Sequence, residues 1–167
     1  MLVGIISDSH DNIRLVQKAV MLFKEHKVEA IIHAGDLISA FMIDYFVDFA
    51  PHFYLCGGNN LGDTKFIREK IQNVGIFFQE GGSFNLDGKL FVVYHGTVPS
   101  IVDALLLSQQ YDYVIVGHTH KKAVRKHGKT ILINPGKSFY DPKNPESTLA
   151  ILNTKNNELS FLELSLD

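Results

Sequence analysis

Short apolar runs, each followed within a few residues by a side chain able to bind a metal, recur along this chain and constrain its fold more than any other feature. The runs are Leu2–Ser7, Ala30–His33, Phe53–Cys56, Phe91–Tyr94 and Tyr113–Val116. Beyond them stand Asp8 and His10, then Asp36, Asn59, His95, and last His118 and His120. Runs this short and this uniformly apolar read as strands covered on both faces. In an open α/β sheet, ligands bind outside the carboxyl ends of the strands, so groups distant in sequence converge there. The pattern therefore predicts a metal site built from seven residues.

The segments between the runs carry helical patterns. Ile13–His26 follows Asn12 as N-cap, Ala40–Ala50 forms a second helix, and a third runs from about Thr64 to Gln72 behind Asp63. With strand His52–Cys56, the first half reads βαβαβα, hence a parallel sheet with right-handed crossovers. The second half is richer in strand. Ser83–Leu86 and Lys89–Tyr94 flank Asp87-Gly88, and Ala123–His127 and Thr130–Asn134 flank Gly128, both hairpin signals. A helix at about Ile101–Gln109 capped by Ser100 and a closing hairpin of Thr148–Leu152 with Glu158–Glu163 complete the reading. The expected architecture is a four-layer α/β/β/α sandwich of two mixed sheets, one domain over residues 1–167.

Composition removes several classes of function. A chain of 167 residues can bury roughly two-thirds of its unfolded surface, enough for a core without covalent staples. The single cysteine, Cys56, allows no internal disulfide, and the apolar stretch after Met1 is too short for a signal segment, so cytoplasm is the expected compartment. No stretch approaches the roughly 18 apolar residues of a membrane span. Net charge is −2 with the signs interspersed, so the basic footprint of a nucleic-acid-binding surface is missing. Nucleic acid is expected only as a small nucleotide substrate.

Asp8-Ser9-His10 and His118-Thr119-His120 each place two ligand types at i and i+2, which in extended backbone project to one side as a chelating pair. Seven N and O ligands exceed what one ion with room for water can use; they suit two ions sharing a carboxylate. Donors of this kind, without thiolate, fit Mn²⁺, Fe, Co, Ni or Zn²⁺. Cys56 reads as a buried strand residue.

D-x-H, G-D, G-N, H-G and G-H-T-H, in that order, resemble the calcineurin-like metallophosphoesterase superfamily. The spacing on to Asn134-Pro135-Gly136 is similar to its small YfcE-like phosphodiesterases. The resemblance covers nearly the whole chain. It implies one metal held by Asp8, His10, Asp36 and His120, a second held by Asp36, Asn59, His95 and His118, and Asp36 as the bridge. It also implies hydrolysis of a small phosphodiester by in-line attack of a hydroxide shared between two ions about 3.5–4 Å apart. His33 matches a position behind the ligands, with a buried strand histidine as the other reading.

The chain departs from the pattern at Asn60, where many relatives carry histidine, and at Thr97, where many carry a second one. An amide can donate a hydrogen bond to a phosphoryl oxygen but cannot protonate a leaving group, so the general acid is left unassigned. Gly57 to Gly62 has P-loop glycine spacing, yet Asp63-Thr64 replaces the lysine and serine a P-loop needs. His26, His52 and His127 read as structural or solvated. Lys121, Lys122, Arg125 and Lys126 read as a solvated hairpin, the alternative being a rim that steers anions. The apolar arc of Ala40–Ala50 is wider than one stripe; either the chain covers it, or Phe41, Tyr45 and Phe49 meet a second copy in a homo-oligomer, which is the favoured expectation. The rival function is a catalytically weak metal-binding scaffold, like the retromer subunit related to this family.

Overall fold

The computed structural model describes residues 1–165. Strands β1 (Leu2–Ile6), β2 (Ala30–His33), β3 (Phe53–Cys56) and β4 (Gly75–Phe78) run parallel, and β10 (Thr148–Asn153) and β11 (Glu158–Glu163) add antiparallel neighbours. The order is β11-β10-β1-β2-β3-β4. The second sheet is ordered β5-β6-β7-β9-β8, from β5 (Gly82–Leu86), β6 (Lys89–Val93), β7 (Tyr113–Ile115), β8 (Ala123–His127) and β9 (Thr130–Asn134). β6, β7 and β9 are parallel, with antiparallel β5 and β8 at the edges.

Alternation along the strands assigns the layers. Val3 and Ile5 of β1, Ala30 and Ile32 of β2, and Tyr54 and Cys56 of β3 face Phe84, Phe91, Val93, Tyr113 and Ile115 of the second sheet. Aromatic rings fill this interior in sequence: Tyr54 stacks on Phe84 at 3.9 Å, Phe84 on Phe91 at 5.6 Å, and Phe91 on Tyr113 at 4.7 Å. The opposite face of the first sheet, with Ile6, Ile31 and Leu55, packs under helices α1 (Ile13–Glu25) and α2 (Thr64–Ile71). Val92, Val114, Val116 and Leu132 of the second sheet pack under α3 (Pro99–Leu107). Four layers result, as the alternation of patterns predicts.

Three elements differ from the sequence reading. Ala40–Phe49 is a 3-10 helix rather than an α-helix. Its apolar residues explain this: Ala40, Ile43, Phe46 and Phe49 recur every third position and are all buried, and three residues per turn is the 3-10 period. Phe49 therefore points inward, against Phe23, and does not offer itself to a second copy. Phe41 is 64% exposed, sharing its surface with Phe66 and Lys70. Helix α3 starts at Pro99, whose fixed φ suits a first helical position, with Val98 and not Ser100 at the cap. β4 was not anticipated; it is a half-buried edge strand held against Phe53–Cys56. No helix among the described residues is long and apolar enough to cross a membrane.

Candidate metal centre

The carboxyl ends of β1, β2, β3, β6 and β7 lie together, and backbone hydrogen bonds join the loops that leave them. Asp8 N donates to Gly35 O at 2.9 Å, His10 N to Asp36 O at 3.0 Å, and Asp36 N to Gly57 O at 2.7 Å. Gly117 N donates to His95 O at 2.8 Å, and His118 N crosses between the sheets to Asp8 Oδ2 at 3.0 Å. Two glycines make the close approaches. A Cβ on Gly117 would stand 2.0 Å from Ser7 Oγ, and one on Gly58 would stand 2.2 Å from Asp36 Oδ1.

Five of the seven residues singled out from sequence adopt positive φ: Asp8 (51°), His10 (44°), Asp36 (57°), His118 (65°) and His120 (58°). Left-handed backbone costs a residue other than glycine on the order of 1 kcal/mol, and such strain collects where function fixes geometry. It also bears on the two i, i+2 pairs, whose backbone is not extended: Asp8 and His10 stay in one grouping, but His118 and His120 separate. His120 Nε2 lies 3.3 Å from Asp8 Oδ1, whereas the His118 ring is edge-on to His95 at 5.2 Å.

Two groupings follow: Asp8 with His10 and His120, and Asp8 with Asp36 and His95. Asp36 stands between imidazoles, its Oδ2 3.5 Å from His10 Nε2 and its Oδ1 3.4 Å from His95 Nε2. His95 Nδ1 lies 2.8 Å from the Ala34 carbonyl, which can only accept, so that nitrogen carries the proton and Nε2 faces Asp36, Asp8 and Asn59 Oδ1. Asp8 Oδ1 and His10 Nε2 are buried without a hydrogen-bond partner. Orphaned acceptors are costly unless something fills the space between them, and these carboxylate and imidazole donors suit a divalent cation.

Electrostatics agree. Burial pushes the Asp36 carboxyl upward, but hydrogen bonds from His95 and from Asn60 outweigh it and hold it well below the usual carboxylate range. Burial likewise opposes charge on His95, yet its contacts with Asp36 and the Ala34 carbonyl raise its pKa. A proton on Nε2 must leave when an ion arrives, while the one on Nδ1 stays on the Ala34 carbonyl.

His33 is fully buried, and burial lowers its pKa to about 3 despite Asp8 and Asp36 nearby. Gly35 N donates to its Nδ1 at 3.3 Å, so the Nε2 proton goes to Ser9 Oγ at 3.0 Å. The ring thus ties the residue between Asp8 and His10 to the residue before Asp36. Asn60 makes a contact that its motif does not announce. Its backbone N–H donates to Asp36 Oδ1 at 2.8 Å and its side-chain N–H to Oδ2 at 2.7 Å, so it braces the carboxylate.

Residues with no motif of their own complete the site. Ser7 Oγ donates to Asp8 Oδ2 at 2.6 Å, and Asn134 Nδ2 holds Gly117 O at 2.8 Å. Phe139 packs edge-on against His10 and His120. Beside Asn59 and His95 opens a cavity of about 530 Å³ walled by Glu80, Tyr94, Thr97, Val98 and Ile101. Lys122 and Arg125 are paired with Glu146 and Asp103, as a solvated hairpin would have them.

A two-sheet α/β sandwich with carboxylates and imidazoles gathered at its strand ends defines a candidate metal-binding phosphoesterase class. The chain belongs to the calcineurin-like phosphoesterase superfamily, whose domain it matches over residues 1–157, and is a hydrolase of that class. It is 32% identical over 161 residues to phosphodiesterase MJ0936 of Methanocaldococcus jannaschii, covering 95% of this chain and 96% of that one. The solved structure of an archaeal phosphodiesterase superposes with a TM-score of 0.89 at 31% identity, over 98% of this chain and 100% of that one. YfcE, a phosphoesterase from E. coli, shares the fold at a TM-score of 0.73 and 15% identity, over 99% of this chain and all of its own.

Proposed function

We propose that this chain is a dinuclear metal-dependent phosphodiesterase, with Asp8, His10, Asp36 and His120 toward one ion and Asp36, Asn59, His95 and His118 toward the other. The observation that supports it most is the pair of buried, unpartnered atoms, Asp8 Oδ1 and His10 Nε2, beside a carboxylate flanked by imidazoles. When bound, two divalent ions supply positive charge for the phosphoryl oxygens and an acidified water for in-line displacement. Mn²⁺, Fe, Co, Ni and Zn²⁺ all suit the donors.

The side chains do the rest. Asp36 stays ionised with the backbone and side-chain N–H of Asn60 on its two oxygens, and Asn60 holds its plane. The Ala34 carbonyl fixes the useful tautomer of His95. The cavity beside Asn59 and His95 accommodates one ester arm of a small phosphodiester, a nucleotide among the candidates, and Tyr94 Oη, bonded with Thr97 Oγ1 and accepting from Val98 N, stiffens its wall. Asn60 cannot protonate a leaving group. Rate should therefore fall steeply as the leaving-group pKa rises.

Turnover by the Mn²⁺-loaded protein on diesters graded from acidic phenols to alkyl alcohols tests this. Aryl diesters should react far faster, and Asn60→His should recover part of the 10²–10⁴-fold that a general acid typically contributes, on alkyl diesters alone. Ion binding with no turnover on any diester would contradict the reading and favour a metal-binding scaffold.

A further inference from the structure

Outside the centre, one side chain that carries charge in water is almost wholly enclosed: Lys137, 1% exposed, immediately after Asn134-Pro135-Gly136 at the end of β9. Among the described residues no carboxylate pairs with it. Its Nζ donates instead to Phe139 O at 3.1 Å and Asn144 O at 2.7 Å, and lies 4.6 Å from the centre of the Phe139 ring. Burial pushes its pKa down while Asp141 and Glu146 oppose that shift. An ammonium taken out of water needs such compensation, and two carbonyl dipoles with an aromatic face provide it. The consequence is mechanical: Lys137 joins both sides of the 139–144 loop, and Ser147 Oγ adds a bond to the same Phe139 carbonyl at 2.8 Å.

The start of that loop, with Ser138 just before it, touches every member of one ligand grouping. Ser138 N donates to Asp8 O at 3.2 Å. The Phe139 ring meets His10 at 4.7 Å and His120 at 5.0 Å, edge-on in both cases. Histidines that bind metals are ordinarily oriented by a hydrogen bond from the nitrogen facing away from the ion, and His95 has one from Ala34. Among the described residues, no hydrogen bond holds His10 or His120 from behind. The ring that both of them pack against is Phe139.

We propose that Lys137 is the positioning residue for the Asp8, His10 and His120 grouping, acting through Phe139. This rests on reading the centre as a metal site. The ammonium sets where the loop turns, the loop sets where the ring stands, and the ring holds two imidazoles ready to converge.

Two variants test it, each by a measurement without metal and one with Mn²⁺. Lys137→Met keeps the apolar stem and removes charge and donors; Phe139→Leu keeps apolar bulk and leaves Lys137 in place. In the metal-free wild type, NMR should show contacts from the Phe139 ring to both the His10 and His120 rings. Lys137→Met should lose them and bind the weaker-held Mn²⁺ about 10–100-fold less tightly, the range seen when support behind a ligand is removed. Phe139→Leu should weaken Mn²⁺ to the same degree. Saturating Mn²⁺ should restore turnover in both variants, which a general structural lesion would not allow. Contacts retained in Lys137→Met, or full Mn²⁺ affinity in Phe139→Leu, would overturn the proposal; should Lys137→Met fail to fold, the Phe139→Leu affinity alone decides. A wild type with the ring contacts present but no Mn²⁺ binding would instead sink the metal reading, and loss of those contacts in Lys137→Met would still uphold the positioning role.

Discussion

The loops leaving the first sheet and those leaving the second bring different chemistry to the same place. Beyond β1, β2 and β3 come Asp8, His10, Asp36, Asn59 and Asn60, which include both carboxylates and both amides. Beyond β6 and β7 come His95, His118 and His120, imidazoles alone. Each ligand grouping takes members from both sides, and the backbone bond from His118 to Asp8 and the ring bond from His95 to Ala34 join them directly. One sheet supplies negative charge, the other neutral nitrogen. Ion binding is therefore coupled to the packing of the sheets through the aromatic interior, because neither side assembles a grouping alone.

Removing charge from the first sheet should do the most damage. Asp36→Ala removes the carboxylate common to the two proposed ion sets; nearly all turnover and at least one ion should be lost, with the circular dichroism spectrum unchanged. Removing an imidazole from the second sheet should be more selective. His120→Ala should weaken one ion by more than the 10–100-fold typical of a supporting residue while the other, served by His95 and His118, binds normally in a calorimetric titration. If His120→Ala released both ions together, the division of labour between the sheets would be wrong.

A change in the shared interior should affect both sides slightly. Phe84→Ala cuts the stack that runs from Tyr54 to Tyr113 and should destabilise the metal-free protein by about 3 kcal/mol in urea, with a small equal loss of affinity for each ion. The smallest effect on ions is expected for His33→Gln, and it should show instead in acid. With a folded pKa near 3 against 6.5, His33 is neutral in the folded chain while the unfolded chain takes up a proton. Stability should thus fall as pH drops from about 6.5 toward 3, and His33→Gln should flatten that limb in the metal-free protein. The raised pKa of His95 acts in the opposite sense and in a different window, adding stability below 6.5 that is lost as pH rises through its folded value.

Most of the strands were legible because their signal is local: a short apolar run that closes on polar residues, with a glycine close by after β2, β3, β6 and β7. The four layers followed from the alternation of patterns. What was not legible depended on period or on long-range contact. Ala40, Ile43, Phe46 and Phe49 recur every third residue, the 3-10 period, but in a segment this continuously apolar that spacing is hidden. The role of Asn60 could not be read from the motif, because only the fold brings its amide to Asp36. Lys137 and Phe139 belong to no motif of metal ligands, and their importance arises from a loop that closes on itself. The parting of His118 from His120 required knowing that the backbone turns left-handed there.

The central claim is that two sheets jointly build a site for two ions. Its most direct measurement is elemental analysis of purified protein after equilibration with Mn²⁺ or Ni²⁺ and removal of loosely bound metal. The account predicts a saturated stoichiometry near two ions per chain. Saturation near one, or no uptake at all, would contradict it.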